Sequence, residues 1–221
     1  PNMATMLAFL CTDAGVSQTD LQTLLKAAAD KSFNAITVDG DESTNDTVLF
    51  LANGASGISL DTGTGDWKAF EEAVQAVCDE LARKIVSDGE KITKVVEVCI
   101  ESAATDEDAR LAARAIANSL LVKSSWYGED PNWGRLADAL GYSGAELSEE
   151  SLRLWYAVDK HAVRVPVFAG GQTFHENRDQ WKKIVSGNTF QVIADLGQGT
   201  VDCRVWSTDL TEGYVNFNKS E

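Results

Sequence analysis

Hydrophobic and polar residues recur along this chain in patterns that predict a mixture of helices and strands. The strongest predicted helix is Asp66–Asp88, because large apolar residues recur there at steps of three and four positions. A second helix is predicted to follow Ser17, which can cap it, and a third to cover the alanine-rich Asp106–Leu120. Two shorter helices are predicted at Arg135–Leu140 and at about Asn177–Val185.

Short apolar runs between these helices predict strands. The predicted strands are Met6–Cys11, Phe33–Val38, Val48–Leu51, Lys94–Ile100, Leu152–Val158, Val163–Phe168, Phe190–Leu196 and Val201–Trp206. The glycine-rich Gly54–Gly65 and the turn-rich Trp126–Gly134 are predicted to be loops. Because no regular strand–helix–strand repeat is visible, the order favours helices layered on stacked sheets over a doubly wound parallel sheet.

The composition is that of a globular domain, and it excludes several classes of function. The chain has 221 residues, of which 44% are hydrophobic and 24% charged, so it can bury a sizeable core. Its formal net charge of −15 would repel nucleic acid. No apolar run approaches the ~18–20 residues of a membrane span, and the opening residues do not resemble a signal peptide. Because no initiator methionine precedes Pro1, we expect a processed product or a fragment with sequence missing upstream.

Cysteine and histidine residues give no sign of a metal or redox site. Cys11, Cys78, Cys99 and Cys203 include no CxxC pair, so we predict four reduced and mostly buried thiols. His161 and His175 lie fourteen residues apart without metal-ligand spacing, and both are expected to be structural or solvated. No glycine-rich nucleotide-binding motif occurs either. The sequence therefore predicts neither a metal nor a cofactor.

Three features carry candidate chemistry, although each also has an ordinary structural interpretation. Thr5 enters a predicted strand, but as the first residue of a chain it could use its own α-amine, of pKa ~7.7–8.0, as a base. The segment DGDESTNDT (Asp39–Thr47) lacks the ligand spacing of an EF-hand and is either a polar turn or the lining of a site. Glu90 follows Gly89, a predicted helix C-cap, and would by itself be a solvated charge.

Five sequence blocks, in order from end to end, resemble the ornithine acetyltransferase family. The blocks are PNMATMLAFL (Pro1–Leu10), SFNAITVDGDESTNDT (Ser32–Thr47), LARKIVSDGEKITKVVEV (Leu81–Val98), GEDPNWGR (Gly128–Arg135) and STDLTEGYVNFN (Ser207–Asn218). The third is similar with changes. Any one block would be a weak signal, whereas five in family order identify the chain as similar to the β chain of that family.

The resemblance implies a fold, a cleavage site and a nucleophile. The fold is a layered α–β–β–α sandwich, shared with self-cleaving aminopeptidases of the DmpA type. A precursor would cut itself between Ala4 and Thr5, so that residues 1–4 are a remnant of an α chain and residues 5–221 are the β chain. Thr5 would then take the acetyl group of N-acetylornithine as an ester and pass it to glutamate, a ping-pong transfer in arginine biosynthesis without a cofactor or metal.

The resemblance also implies substrate contacts and a partner. Glu90 matches the glutamate of the family motif DGEGATK, which binds the amino end of the substrate, and Asn218 matches a C-terminal asparagine that reaches the site. Lys91 and Ile92 replace a glycine and an alanine beside that glutamate. The family places its oxyanion donors and a substrate-binding lysine in the α chain. We therefore expect an αβ heterodimer that pairs to α2β2, in the cytoplasm or, in a eukaryote, the mitochondrial matrix.

Alternatives to this transferase remain open at the level of the sequence. A hydrolase or aminopeptidase of the same fold would resolve the acyl-Thr5 ester with water instead of an amine. An inert structural subunit would result if the Ala4–Thr5 bond stayed intact, because Thr5 would then lack a free amine. Glu90 and Asn218 favour the transferase, and acetyl-CoA is a possible additional acetyl donor.

Overall fold

Two units of mixed helix and strand make up the protein, as described by a computed structural model for residues 6–219. The first unit comprises the described residues up to Ile36 together with Asp41–Ile85. The second comprises Thr37–Gly40 and the described residues from Val86 onward. The mixed α/β class that the sequence predicts is confirmed.

The first unit combines a two-stranded parallel sheet with two long helices. Its elements in chain order are β1 (Leu7–Thr12), α1 (Gln18–Lys31), β2 (Thr47–Ala52) and α2 (Gly65–Ser87), the last of which ends just beyond the boundary of the unit. As predicted, Ser17 caps α1, because its hydroxyl accepts a hydrogen bond from the Asp20 amide. β1 and β2 run in parallel with Leu7 opposite Thr47.

One face of the two-stranded sheet is apolar and exposed. Along β1, Ala8 and Leu10 are buried, whereas Leu7 and Phe9 are 64% and 61% exposed. The register places Phe9 beside Leu49 of β2, which is 45% exposed. We call this surface the exposed sheet face; it consists of Leu7, Phe9, Cys11, Leu49 and Leu51. Large apolar side chains grouped in this way are typical of a docking surface.

The second unit contains a six-stranded mixed sheet with helices. Its elements in chain order are β3 (Val95–Ala103), α3 (Asp106–Asn118), α4 (Leu120–Tyr127), α5 (Trp133–Gly141), β4 (Arg153–Ala157), β5 (Val165–Ala169), β6 (Gln172–Thr173), α6 (Arg178–Val185), β7 (Thr189–Asp195), β8 (Val201–Thr208) and α7 (Glu212–Phe217). The strand order is β6-β5-β4-β7-β3-β8. Only the pair β3 and β7 is parallel within this sheet.

A single apolar core joins one face of this sheet to its helices. Val96 and Ile100 of β3 point into the core, and the register sets Phe190 of β7 beside Val96. Trp126 of α4 and Tyr156 of β4 meet the Phe190 ring edge-on, with ring centroids 6.1 and 6.3 Å apart. The buried alanines of α3 let that helix approach the sheet closely. These contacts make the helical layer and the sheet one packed body.

The predicted strand Phe33–Val38 is wrong, because the chain forms a 3₁₀ turn over Phe33–Ala35. Phe33 and Ile36 are both buried. Their three-residue spacing fits a tight helical turn as well as an extended run. Thr37 then donates its amide to the Trp206 carbonyl at 2.8 Å.

Two other differences concern helices. The predicted helix Asp106–Leu120 ends at Asn118, because the Ser119 hydroxyl accepts from the Val122 amide and caps a new helix. That helix, α4, includes Trp126 and Tyr127, which we predicted to lie in a loop. The sequence also gave no sign of α7, which lies inside the C-terminal block.

Candidate active site

The end of the segment DGDESTNDT is hydrogen-bonded to Met6, the residue that follows Thr5. The Met6 amide donates to Asp46 Oδ1 at 2.8 Å. The Met6 carbonyl accepts from the Thr47 amide, also at 2.8 Å. The segment does contain a polar turn, since the Asn45 amide donates to the Ser43 hydroxyl, but it also places a carboxylate at the start of β1. Ala4, Thr5 and the predicted cleavage site between them lie outside the described residues.

Only one of the two oxygens of the Asp46 carboxylate accepts a hydrogen bond in this arrangement. Its second oxygen, Oδ2, is buried and has no hydrogen-bond partner among residues 6–219. A buried carboxylate oxygen without a donor is costly, because it has lost its water and gained nothing in exchange.

The beginning of the same segment belongs to the second unit, where hydrogen bonds fix its course. Thr37 Oγ1 donates to Asn118 Oδ1 at 2.8 Å and accepts from the Gly40 amide at 3.1 Å. Gly40 has a φ of +87°, which favours glycine at the turn. The Tyr214 hydroxyl donates to Asp39 Oδ2 at 3.0 Å. The segment is thereby tied to the end of α3 and to α7.

Glu90 is exposed on a tight turn that follows α2. Gly89 fits this turn closely, because an added Cβ would lie 3.2 Å from both Ile92 Cγ2 and the Val86 carbonyl oxygen. Lys91 has a φ of +52°, in the left-handed region where a non-glycine residue costs roughly 1–2 kcal/mol. The family motif has glycine at this position, which adopts such a φ without strain.

Contacts with α7 hold the turn in place despite this strain. The Lys91 carbonyl accepts from Thr211 Oγ1 at 2.8 Å, and Lys91 Nζ lies 5.5 Å from the centroid of the Phe217 ring. Thr211 is also the N-cap of α7, since its hydroxyl accepts from the Tyr214 amide. The turn that carries Glu90 is thus joined to the first residue of the helix that precedes Asn218.

Asn218 directly follows α7 and is exposed. Its Nδ2 donates to the Tyr214 carbonyl at 2.9 Å, so the side chain helps to close the end of the helix. The structure therefore brings together the two elements that carry Glu90 and Asn218. The roles of both residues in binding a substrate stay predictions.

A shallow cavity of about 590 Å³ lies between α4 and α7. Its walls are both apolar and polar, and they include Tyr127, Leu210, Thr211, Val215 and Asn216. Neither Glu90 nor Asn218 lines it. The cavity is therefore a neighbour of the predicted substrate contacts and does not contain them.

α4 contains a buried lysine that was not predicted from the sequence. Lys123 is 2% exposed, and its Nζ donates to the Thr208 carbonyl at 2.5 Å, to Thr208 Oγ1 at 3.1 Å and to Ser207 Oγ at 3.3 Å. Burial lowers the pKa of the Lys123 ammonium to about 8, although Asp209 and Asp39 oppose the change. The available signal was a single charge inside the apolar and small run LLVKSSW.

Residues 207–209, at the end of β8, connect this lysine to the start of the segment Asp39–Thr47 and to the turn that carries Glu90. Thr208 Oγ1 donates to the Val38 carbonyl at 3.2 Å, beside Asp39. Asp209 accepts from the Thr93 hydroxyl at 2.5 Å and from the Lys94 amide at 3.0 Å, just after the turn that carries Glu90. We call Lys123 with residues 207–209 the lysine hub.

Cysteine and histidine residues form no nucleophilic centre within the described part of the chain. The prediction of free thiols is confirmed, but Cys11 is exposed. Burial raises the pKa of Cys78 and Cys203, and that of Cys99 to about 12, which disfavours the reactive thiolate. His161 and His175 are both exposed, as expected of solvated residues.

Metal clusters and membrane spans are also missing from residues 6–219. No group of three or more histidine, cysteine, aspartate or glutamate side chains converges there as metal ligands would. No helix in the same range is long and apolar enough to cross a bilayer.

Comparisons with known proteins agree over nearly the whole chain. Residues 1–220 match the model of the ArgJ family. The arginine biosynthesis bifunctional protein ArgJ of Thermotoga neapolitana is 49% identical over 99% of this chain and 55% of its own length. The glutamate N-acetyltransferase of Methanopyrus kandleri is 43% identical over 99% of this chain and 55% of its own length.

A solved structure supports the predicted layered fold. The crystal structure of arginine biosynthesis bifunctional protein ArgJ from Bacillus halodurans matches with a TM-score of 0.91 and 35% identity. The match covers 98% of this chain and 100% of that chain. By contrast, the chain spans about half the length of the curated relatives that it matches.

Replacing the buried lysine tests the lysine hub through the pH dependence of stability. The folded pKa of about 8 lies below the ~10.4 of an unfolded lysine, so between these values the unfolded chain holds more protons. The free energy of unfolding of wild type should therefore rise with pH in this window. Across the whole window, the rise should exceed that of Lys123→Met by about 3 kcal/mol. Urea denaturation at pH 7 to 10.5 measures this difference.

A matched control separates this effect from the general response of an acidic protein to pH. Lys160 is exposed, and Lys160→Met should follow the wild-type curve throughout. Parallel curves for wild type and Lys123→Met would mean that the buried ammonium keeps an ordinary proton affinity, contrary to the burial argument.

Proposed function

We propose, from the premise that this chain belongs to the ArgJ family, that it is the catalytic half of a glutamate N-acetyltransferase. The enzyme would move an acetyl group from N-acetylornithine to glutamate in arginine biosynthesis. The observation that carries this proposal is the end-to-end match to proteins named for that activity, at 43% and 49% identity. It acts in the cytoplasm, or in the mitochondrial matrix in a eukaryote, as one fungal relative is named mitochondrial.

Thr5 is the nucleophile in this proposal, and cleavage at Ala4–Thr5 gives it a base. The freed α-amine takes the hydroxyl proton while Thr5 Oγ1 bonds to the acetyl carbon of N-acetylornithine. The acetamide C–N bond then breaks, and the proton passes to the nitrogen of the departing ornithine. The amine of glutamate attacks the ester in the second half, and the Thr5 hydroxyl is restored. The oxyanion donors would come from the α chain.

Glu90 and Asn218 would bind the substrate. A carboxylate on an exposed turn can pair with an ammonium group of ornithine, a charge-assisted contact of ~1.5–3 kcal/mol. The asparagine amide has further hydrogen-bonding capacity beyond its bond to the Tyr214 carbonyl. The Lys91–Thr211 hydrogen bond supports this assignment, because it joins the turn of Glu90 to the helix that ends at Asn218.

The partner in this proposal is the α chain, the half of the relatives that this chain does not cover. We place the α chain against the exposed sheet face of the first unit. A parallel sheet of two strands is rarely stable alone, and parallel sheets are normally covered on both faces. Phe9 and Leu7 would be buried in an obligate interface of more than ~2,000 Å². The resulting αβ units would pair to α2β2.

Thr5→Ala in the complete precursor tests the nucleophile twice. The variant should remain uncleaved at Ala4–Thr5 and should release no ornithine, because it lacks the hydroxyl for both steps. Mass spectrometry of the intact protein and an ornithine assay with and without glutamate give the two readouts. Thr19→Ala, at an exposed position in α1, should leave both unchanged.

Each possible result has a distinct meaning. Normal processing and turnover in Thr5→Ala would refute the proposed nucleophile. Glutamate-independent release of ornithine by wild type would indicate a hydrolase. A wild-type chain that stays uncleaved and inactive would indicate a structural subunit.

Glu90→Ala should lower kcat/KM by roughly 10- to 150-fold, since each 1.4 kcal/mol of lost contact is a factor of ten. The loss should be the same at saturating glutamate, because Glu90 is assigned to the N-acetylornithine half of the reaction. Steady-state kinetics with N-acetylornithine as the varied substrate measures it. Glu176→Ala, another exposed glutamate, serves as the control. Equal values for both variants would leave Glu90 as a solvated residue after α2.

Residues 5–221 produced alone should be poorly soluble and inactive, because the exposed sheet face would lack its partner. Co-expression with the upstream half should give a soluble, active complex. Phe9→Lys should improve the solubility of the lone chain and abolish the complex, whereas Val163→Lys, at an 86% exposed position, should do neither. Size-exclusion chromatography distinguishes these states. A monomeric and active 221-residue chain would overturn the proposed partner.

A further inference from the structure

The connection between β8 and α7, residues 207–211, is held by the buried Lys123. The Lys123 ammonium donates to the Thr208 carbonyl, to Thr208 Oγ1 and to Ser207 Oγ, so that its three N–H bonds are matched by three oxygens. The Lys123 carbonyl accepts from the Leu210 amide at 3.3 Å. The side chain and the main chain of this one residue therefore fix the β8–α7 connection at two points.

The same connection holds the turn that carries Glu90. Asp209 accepts from the amides of the two residues that directly follow the turn, at 2.9 and 3.0 Å. Thr211 Oγ1 donates to the Lys91 carbonyl, inside the turn, at 2.8 Å. Along the β8–α7 connection, bonds to Lys123 thus alternate with bonds to the turn.

The turn depends on this support because its backbone is strained. Lys91 directly follows Glu90 and has a φ of +52°, which is unfavourable for a residue other than glycine. Strained backbone persists only where the surrounding structure holds it in place. If the connection loosened, the turn would relax by rotation at Lys91, and this rotation would displace the neighbouring Glu90. The position of the Glu90 carboxylate therefore depends on the β8–α7 connection.

We infer that Lys123 is a positioning residue, which holds the Glu90 carboxylate where it can bind the ammonium group of N-acetylornithine. The inference rests on the proposed function, because it requires Glu90 to contact the substrate. Lys123 is 2% exposed, and protein oxygens match its N–H bonds. It consequently acts through the β8–α7 connection and makes no contact with the substrate itself.

Lys123→Met in the complete, self-cleaving protein tests the inference, because methionine removes the donors to the connection and leaves an apolar side chain in an apolar core. We expect KM for N-acetylornithine to rise by at least about threefold, and by no more than the roughly 10- to 150-fold loss expected for Glu90→Ala. The value of kcat per folded and cleaved enzyme should change little, because the ammonium group does not react. A merely structural role would lower the amount of active enzyme and leave KM unchanged.

The double variant of Lys123→Met and Glu90→Ala shows whether the two residues act as one. Its KM should equal that of Glu90→Ala alone, because no carboxylate is left to be misplaced. Effects that multiply in the double variant would contradict the inference, and so would a wild-type KM for Lys123→Met. Lys160→Met replaces an exposed lysine and should keep the wild-type KM as the matched control.

The same series separates a failure of the inference from a failure of the proposed function. If wild type transfers no acetyl group to glutamate, the proposed function is refuted. A wild-type KM for Glu90→Ala would refute the substrate contact on which the inference depends. If Glu90→Ala raises KM and Lys123→Met does not, the proposed function stands and only the role of Lys123 falls.

Two variants of Thr208 cover the case in which Lys123→Met does not fold. Both leave the lysine in place, but Thr208→Ser keeps the hydroxyl oxygen that Lys123 Nζ binds, whereas Thr208→Val removes it at nearly the same volume. We expect Thr208→Val to raise KM for N-acetylornithine at least about twofold above the value for Thr208→Ser, which should match wild type. Equal KM values for these two variants would overturn the inference.

Discussion

The buried ammonium of Lys123 constrains several segments of the second unit at once. Such a group is stable in an apolar core only if oxygen atoms replace its lost water, and Thr208 and Ser207 supply them. The end of β8 is consequently fixed against α4. Because Thr208 also binds the Val38 carbonyl and Asp209 binds Thr93, the same constraint fixes the backbone beside Asp39 and beside the turn of Glu90. The exposed Glu90 and Asp39 thus lie next to backbone that a buried polar network holds in place.

The sequence predicted most of the regular structure, and its failures have local causes. The periodic pattern of α2 and the apolar runs of β1, β3 and β7 were sufficient signals, because α2 and β1 bury one consistent face and β3 and β7 are buried along most of their length. The 3₁₀ turn at Phe33–Ala35 was missed because a six-residue apolar run does not specify its backbone. The helix α7 was missed because it is only six residues long and because its contact with Lys91 joins residues that are distant in sequence.

The candidate site likewise contains some residues that the sequence predicted and others that it did not. Residue types alone marked Asp39–Thr47 as polar and gave no role to Glu90 or Asn218, which came from the resemblance to a family. Neither the residue types nor the family resemblance singled out Asp46 or Lys123, because only their burial and their hydrogen bonds distinguish them. A buried oxygen without a donor, or an ammonium enclosed by a strand end, exists only once segments forty or eighty residues apart have met. Such residues are found from hydrogen bonds and burial.

The exposed sheet face bears on the proposed partner through its packing. Parallel sheets are normally covered on both faces, yet the face of β1 and β2 that carries Leu7, Phe9, Leu49 and Leu51 is exposed in the first unit. Under the proposed function, a terminal amine at Thr5 would give the threonine hydroxyl its base. Cleavage there would leave the residues upstream of β1 in a separate chain, and that chain is the partner that we propose for this face. The proposed cleavage and the exposed apolar face are therefore consistent with each other.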